Sequence, residues 1–217
     1  MEAISLQSAP AQTAANRSRM YQLLGAAFAF PDEDFFDAIH DGTFATTLAE
    51  MCVGLPYDLT SVARLDLVAG GTSYAEFESE YIRLFDVGPA GPPCPLYGGV
   101  YKGDRMKVME DATRFYNFFH LRVSPEVREL PDHITTQLEF MHYLTYREAE
   151  VRAQGLDATS LLRAERDFLA RHLCRWLPHL RERLARNQAA LPFFVALVDF
   201  TLAFLHADHD HAATLAA

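Results

Sequence analysis

Cysteine is scarce: Cys52, Cys94 and Cys174 are the three in 217 residues, an odd number, far apart and without a C-x-x-C pair. This excludes a disulfide framework and the paired-cysteine signature of a zinc site, and it suits a cytoplasmic protein with reduced thiols. Positive charge is also short, with 19 Lys and Arg against 29 Asp and Glu and a net charge of −10. Nucleic acid is thereby a poor partner, because phosphate binding needs a basic patch that releases counterions, and a basic partner is the natural complement. No run approaches the ~20 apolar residues of a membrane span, so no integral membrane segment is expected. Arg17 and Arg19 ahead of the apolar run Leu23 to Phe30 imitate a secretory leader. The run is short, Tyr21 and Gln22 interrupt its approach, and the acidic Pro31-Asp32-Glu33-Asp34 follows, so it reads instead as a first helix ended by Pro31. There is no G-x-x-x-x-G-K, no strand precedes Gly98-Gly99, and nothing repeats at a solenoid period, which removes a phosphate loop and a repeat array.

What is present is helical periodicity. Apolar residues recur at three- and four-residue spacing, period-two alternation is hard to find, and half the residues are apolar, enough for one large core. The chain reads as all-α, a single multi-helix globular domain over 14–206, with flexible tails at 1–13 and 207–217. Helices are expected near Asn16–Phe30, Asp32–Asp41, Phe44–Gly54, Leu59–Ala69, Tyr74–Phe85, Asp104–His120, Pro131–Gln154, Ala158–Trp176 and Leu180–His206, the last with a break near Pro192. Between two helical halves runs Asp86 to Tyr101, D-V-G-P-A-G-P-P-C-P-L-Y-G-G-V-Y, in which half the residues are Gly or Pro. A loop of that length in a compact domain is often functional, as a crossover or a binding lip. Tyr97 and Tyr101 would be its anchors, facing a partner on one reading and pinning the loop to the core on the other.

The stretch Pro131 to Tyr143, P-D-H-I-T-T-Q-L-E-F-M-H-Y, places a proline and an acid–histidine pair at a helix start. At about 100° per residue, Ile134, Leu138, Met141 and Leu144 share one side and Asp132, Thr135, Thr136, Glu139 and Tyr143 the other. Two carboxylates a heptad apart beside hydroxyls suit a cationic partner, and a solvated face is the plainer alternative. Glu139-Phe140-Met141-His142 is also an E-x-x-H motif, the unit of di-iron bundles, but such a site needs two and the chain has one. That leaves a helical metal-dependent enzyme using Glu139 and His142 as the rival reading. His206 to His211 is either a mobile tail or a chelating cluster.

The order E-S-E-Y-I-R-L-F-D-V-G-P at Glu78 to Pro89, C-P-L-Y-G-G-V-Y at Cys94 to Tyr101 and P-D-H-I-T-T-Q-L-E-F-M at Pro131 to Met141 resembles the TorD/DmsD/NarJ family of redox-enzyme maturation chaperones. The resemblance extends to Arg17 and Tyr21 and to R-H-L-C-R-W-L-P at Arg171 to Pro178, and the C-P-L-Y-G-G-V-Y form leans toward chaperones of the dimethylsulfide and ethylbenzene dehydrogenase type. It implies a TorD-like helical fold and a cytoplasmic chaperone without catalytic residues, metal or cofactor of its own. Such a chaperone holds the twin-arginine signal peptide and the apo-form of a molybdenum-cofactor oxidoreductase subunit until the cofactor, carried by that client, is inserted. The implied binding residues are Tyr81, Leu84 and Phe85, then Pro95, Tyr97 and Tyr101 from the loop, then Asp132, His133 and Glu139. The family's Glu-Ser or Gly-Ser ahead of the Val–aromatic pair is Gly98-Gly99 here. Monomer and domain-swapped dimer both remain open.

Overall fold

The computed structural model describes residues 8–60, 62, 67–68, 70–89, 91–124, 129–187 and 190–217. Among them are nine α-helices: α1 (Ala9–Ala27), α2 (Glu33–His40), α3 (Thr43–Val53), α4 (Tyr74–Tyr81), α5 (Arg105–Phe118), α6 (Ile134–Ala153), α7 (Thr159–Arg171), α8 (Leu173–Arg186) and α9 (Pro192–Leu215). A π turn, Ile82–Asp86, continues α4, and a 3-10 turn, Gly98–Val100, closes the long loop. No strand forms among the described residues, so the all-α expectation holds.

Four of the helices start where a short polar side chain accepts an otherwise unpaired backbone N–H. Ser8, Asp32 and Asp104 cap α1, α2 and α5, and Ser73 and Glu76 form a reciprocal capping box on α4. α1 and α6 pack along most of their length, and α7, α8 and α9 pack onto one another. At the other end, Phe36, Phe44, Phe77, Phe193 and Phe194 form a continuous aromatic cluster that joins α2, α3 and α4 to the start of α9.

Several expected boundaries are corrected. α1 begins at Ala9 and not near Asn16, because Ser8 and Pro10 already supply a cap and a first-turn proline; residues 9–13 are therefore helix, and 1–7 lie outside the described residues. The helix expected over Leu59–Ala69 lies largely outside them too, and its described members are turn, bend or irregular. The helix expected over Ala158–Trp176 is divided at His172 (φ −117°, ψ −94°), and α8 begins at Leu173 and runs through Pro178. Proline forfeits a backbone hydrogen bond there, but burial of Leu173, Trp176, Leu177, Leu180 and Leu184 along one face outweighs that loss. The break near Pro192 is present, with Pro192 in the first turn of α9.

The C-terminal tail is the largest correction. α9 continues to Leu215, and Ala212 and Ala216 pack with Leu162 of α7 in a small apolar cluster. Asp208, expected in a mobile His/Asp run, is wholly buried. Its Oδ1 accepts from Arg17 Nε at 2.5 Å and Tyr57 Oη at 2.7 Å, and its Oδ2 from Arg17 Nη2 at 3.0 Å and Tyr21 Oη at 2.5 Å. Arg17, also wholly buried, reaches Glu148 of α6 and Glu165 of α7 at 2.5 Å each. Arg152 closes the group on the other Glu148 oxygen at 2.5 Å. No group of three or more His, Cys, Asp or Glu side chains among the described residues is placed to hold a metal ion.

Two arginines thus face three carboxylates, and burial settles the imbalance. Burial pushes Glu165 from its usual 4.5 up to about 8 against the opposing pull of Arg17, while Asp208 is lowered, burial opposing and Arg17 prevailing. Burial thus favours the protonated form of Glu165, whereas Arg17 favours the ionised form of Asp208. Asp208→Asn removes the buried carboxylate that meets Arg17 at both Nε and Nη2 and should cost about 3–5 kcal/mol in denaturant unfolding, whereas Glu165→Gln should cost about 1 kcal/mol or less. A raised acid binds its proton more tightly when folded, so its contribution is complete below 4.5 and is lost as pH climbs through about 8. Glu165→Gln should flatten that decline, which denaturant midpoints between pH 5 and 9 would measure.

Candidate functional site

Four segments meet around an open cleft of about 770 Å³: the residues after α1 (Ala29, Phe30), the end of α4 with its π turn (Tyr81, Phe85, Asp86), the Gly/Pro loop (Pro95, Tyr97, Val100) and the entry to α6 (Glu129, His133, Thr135), with Arg105 and Arg183 at its border. The loop is held by backbone pairing. Cys94 N–H donates to the Leu84 carbonyl at 2.9 Å, Gly98 N–H to the Asp132 carbonyl at 2.9 Å, and Ile134 N–H to the Leu96 carbonyl at 2.9 Å. Tyr97 and His133 accordingly face each other as an isolated antiparallel bridge, with ring centroids 4.8 Å apart. A loop rich in proline and glycine becomes a fixed wall because the α6 entry supplies its missing partners.

Five of the expected residues come together here: Tyr81, Phe85, Pro95, Tyr97 and His133 line the cleft. Tyr81 donates to the Phe28 carbonyl at 2.9 Å and meets Phe30 edge-on at 5.5 Å. Tyr97 donates to Glu129 Oε2 at 2.7 Å, and Arg105 sits 5.4 Å from its ring centre. Burial, helped by Glu129, raises both the Tyr97 and the Tyr81 hydroxyls, so both remain protonated donors. Burial lowers His133, with Glu129 at 3.7 Å opposing; His133 is the N-cap of α6, its Nδ1 2.6 Å from Thr135 Oγ1.

Leu84, Tyr101, Asp132 and Glu139 lie elsewhere. Leu84 is fully buried in the core. Tyr101 stacks on Trp176 at 5.5 Å under the Arg183 guanidinium and donates to the Pro95 carbonyl at 2.8 Å, so it pins the loop to the core as the plainer alternative had it. Asp132 does not join the helix: α6 starts at Ile134, and the Asp132 carboxylate is wholly buried, with Oδ2 accepting the Gly99 N–H at 2.9 Å. Burial raises its pKa against the opposing pull of that N–H and of Arg105. Glu139 is exposed and borders a smaller groove with Tyr116, Val123 and Tyr143. His142, its E-x-x-H partner, lies 2.8 Å from Ser18 Oγ on α1.

The Nitrate reductase delta subunit family model matches residues 54–182. The chain belongs to the TorD/DmsD/NarJ family of redox-enzyme maturation chaperones. It is 35% identical to a perchlorate reductase assembly chaperone of Dechloromonas aromatica over 88% of this chain and 87% of that protein. It is also 38% identical to a selenate reductase assembly chaperone of Thauera selenatis over 57% and 65%, and 31% identical to a dimethyl sulfide dehydrogenase assembly chaperone of Rhodovulum sulfidophilum over 71% and 63%. The matched range contains every cleft residue from Tyr81 to Thr135 and leaves out Ala29, Phe30 and Arg183.

The packing accounts for glycine at both Gly98 and Gly99. A Cβ on Gly99 would lie 2.9 Å from Asp132 Oδ2 and 2.7 Å from Arg105 Cγ, and one on Gly98 would lie 3.0 Å from the Trp176 ring. Among the cleft residues, Phe30, Asp86, Glu129, Arg105 and Arg183 were not anticipated. Asp86 sits beside the expected Phe85, but the others come from outside any patterned helix face or from helices far along the chain. Tyr101→Ala should cost about 3 kcal/mol, because the half-buried ring loses its stack on Trp176 and its place under Arg183, whereas Tyr97→Ala should cost about 1 kcal/mol, one net hydrogen bond. Thermal unfolding of the two variants would show the difference, and equal losses would make Tyr97 a core anchor as well.

Proposed function

We propose that the protein holds the twin-arginine signal peptide and apo-form of a molybdenum-cofactor oxidoreductase subunit in the cytoplasm, delaying its export until the cofactor is in place. The observation that carries this reading is the cleft, where the aromatic wall of Phe30, Tyr81, Phe85 and Tyr97 stands beside the carboxylates Asp86 and Glu129. A twin-arginine peptide presents two cations followed by an apolar segment, and that order of chemistry matches acids beside aromatics. Phe30 is 54% exposed and Val100 38%, so apolar surface is open to a partner. Asp86 is exposed and makes no salt bridge among the described residues. The relatives' names, assembly chaperones for perchlorate, selenate and dimethyl sulfide enzymes, support a client of that kind.

Buried apolar side chains contribute ~1.5–3 kcal/mol each and charge-assisted hydrogen bonds a similar amount, against several kcal/mol of lost freedom and peptide ordering. The balance is an affinity on the order of micromolar, about −8 kcal/mol, which also allows release of the client. The protein acts stoichiometrically, without turnover and without a cofactor of its own. Buried Asp132 shapes the cleft through Gly99, and the peptide arginines are left to Asp86 and Glu129.

Calorimetry with a peptide carrying the arginine pair and its apolar segment tests this. Phe30→Ala and Asp86→Asn should each weaken binding about tenfold, roughly 1.4 kcal/mol, and added salt should weaken it further. Glu139→Gln should bind as the parent does. Unchanged affinity in Phe30→Ala, Asp86→Asn and a peptide whose arginines are glutamine would reject the cleft as the peptide site.

A further inference from the structure

A second cleft, of about 640 Å³, shares the Gly98–Val100 turn with the first: Tyr97 and Val100 line one, Gly98 the other. In a chain of net charge −10 with only two lysines, both lysines border it. Lys102 comes from the turn, Lys107 and Arg114 from α5, and Arg171 and Arg175 from the α7–α8 junction; Asp104, Glu110 and Asp111 are the carboxylates present. Asp104 is occupied as the α5 cap, and Arg114 and Glu110 pair loosely at 4.0 Å. Lys107, Arg171 and Arg175 make no salt bridge among the described residues.

The lining holds a second, independent observation. His172, at the break between α7 and α8, is 3% exposed, and neither ring nitrogen makes a hydrogen bond, although Nε2 lies 3.4 Å from Asp111 Oδ2. Its ring rests on Phe168 at 4.6 Å and meets Phe115 edge-on at 5.7 Å. Burial pushes its pKa down to about 4, with Asp111 opposing and Arg171 and Arg175 assisting, so the ring is neutral and offers one N–H. A buried donor without a partner is uncommon in a folded protein and costs stability until something accepts from it.

We propose that this cleft binds a small phosphate-bearing anion, with Lys107, Arg171 and Arg175 supplying the charge and the His172 ring supplying a buried donor. Guanidinium pairs suit the planar, two-point recognition of phosphate oxygens, and the volume lies in the ~300–1,000 Å³ range of small-molecule sites. Concavity and a buried donor in the lining favour a small anion over an acidic protein segment, which would engage only the exposed cations.

The test uses the full chain, inorganic pyrophosphate as probe, and side-chain imidazole NMR with calorimetry at low salt. Binding should saturate, the His172 ring resonances should move, and the double variant Arg171→Gln/Arg175→Gln should lose at least tenfold in affinity while melting normally. Lys107→Glu should lose affinity as well, and Arg83→Gln, whose arginine pairs with Glu80 outside this cleft, should not. Twin-arginine peptide binding should be unchanged in the Arg171/Arg175 variant. Non-saturating binding, equal affinity in the variants, a silent His172, or tighter binding of an oligoglutamate peptide than of pyrophosphate would each overturn the proposal.

Discussion

The fold depends on a single buried arginine. Arg17 sits fully inside the bundle, and its guanidinium is shared by Asp208, Glu148 and Glu165, so one side chain ties α1 to α6, α7 and α9. A buried guanidinium cannot be neutralised, so its partners must arrive together and in register. Arg17 and Asp208 are separated by 191 positions, which makes the last helix a structural member of the bundle and not an appendage. With α1 and α9 fixed in this way, the end of α1 delivers Phe30 to the cleft, and the start of α9 packs Phe194 against Tyr81 and Phe85 beneath it.

A second constraint acts on the cleft. The Gly/Pro loop has few side chains able to hold it, and its shape is imposed from outside by Leu84, Asp132 and Leu96 backbone contacts and by the Gly99–Asp132 hydrogen bond. Asp132 is thus a buried structural acid that positions the wall carrying Tyr97 and His133. Because Gly98 and Gly99 bring backbone against Trp176, Asp132 and Arg105, the same short turn forms one wall of the aromatic cleft and one of the basic cleft.

Local signals were legible where period and caps governed the outcome. Ile134, Leu138, Met141 and Leu144 are fully buried, as the helical phase of α6 required. That phase failed for Asp132 because the residue precedes the helix, where 100° per residue has no meaning and loop pairing decides the direction of the side chain. The His172 break carries no Gly or Pro, and Pro178, which resembles a helix boundary, sits inside α8. Polar composition after His206 read as a tail, although Asp208, Ala212 and Ala216 recur every four residues on the face that α9 buries. Long-range partners left no trace: neither the Arg17 cluster nor the meeting of Phe30, Glu129 and Arg183 is encoded within any window of sequence.

The central claim is that the client peptide lies in the aromatic cleft between the loop and the α6 entry. Hydrogen–deuterium exchange of the full chain with and without a twin-arginine peptide reads this directly, since ordering a peptide against a surface slows exchange in the backbone it covers. The account predicts slowed exchange over 81–101 and 129–135, with the outer face of α5 and the surface around Glu139 unchanged. Slowed exchange confined to the Glu139 groove or to α5, with 81–101 unaffected at saturating peptide, would contradict it.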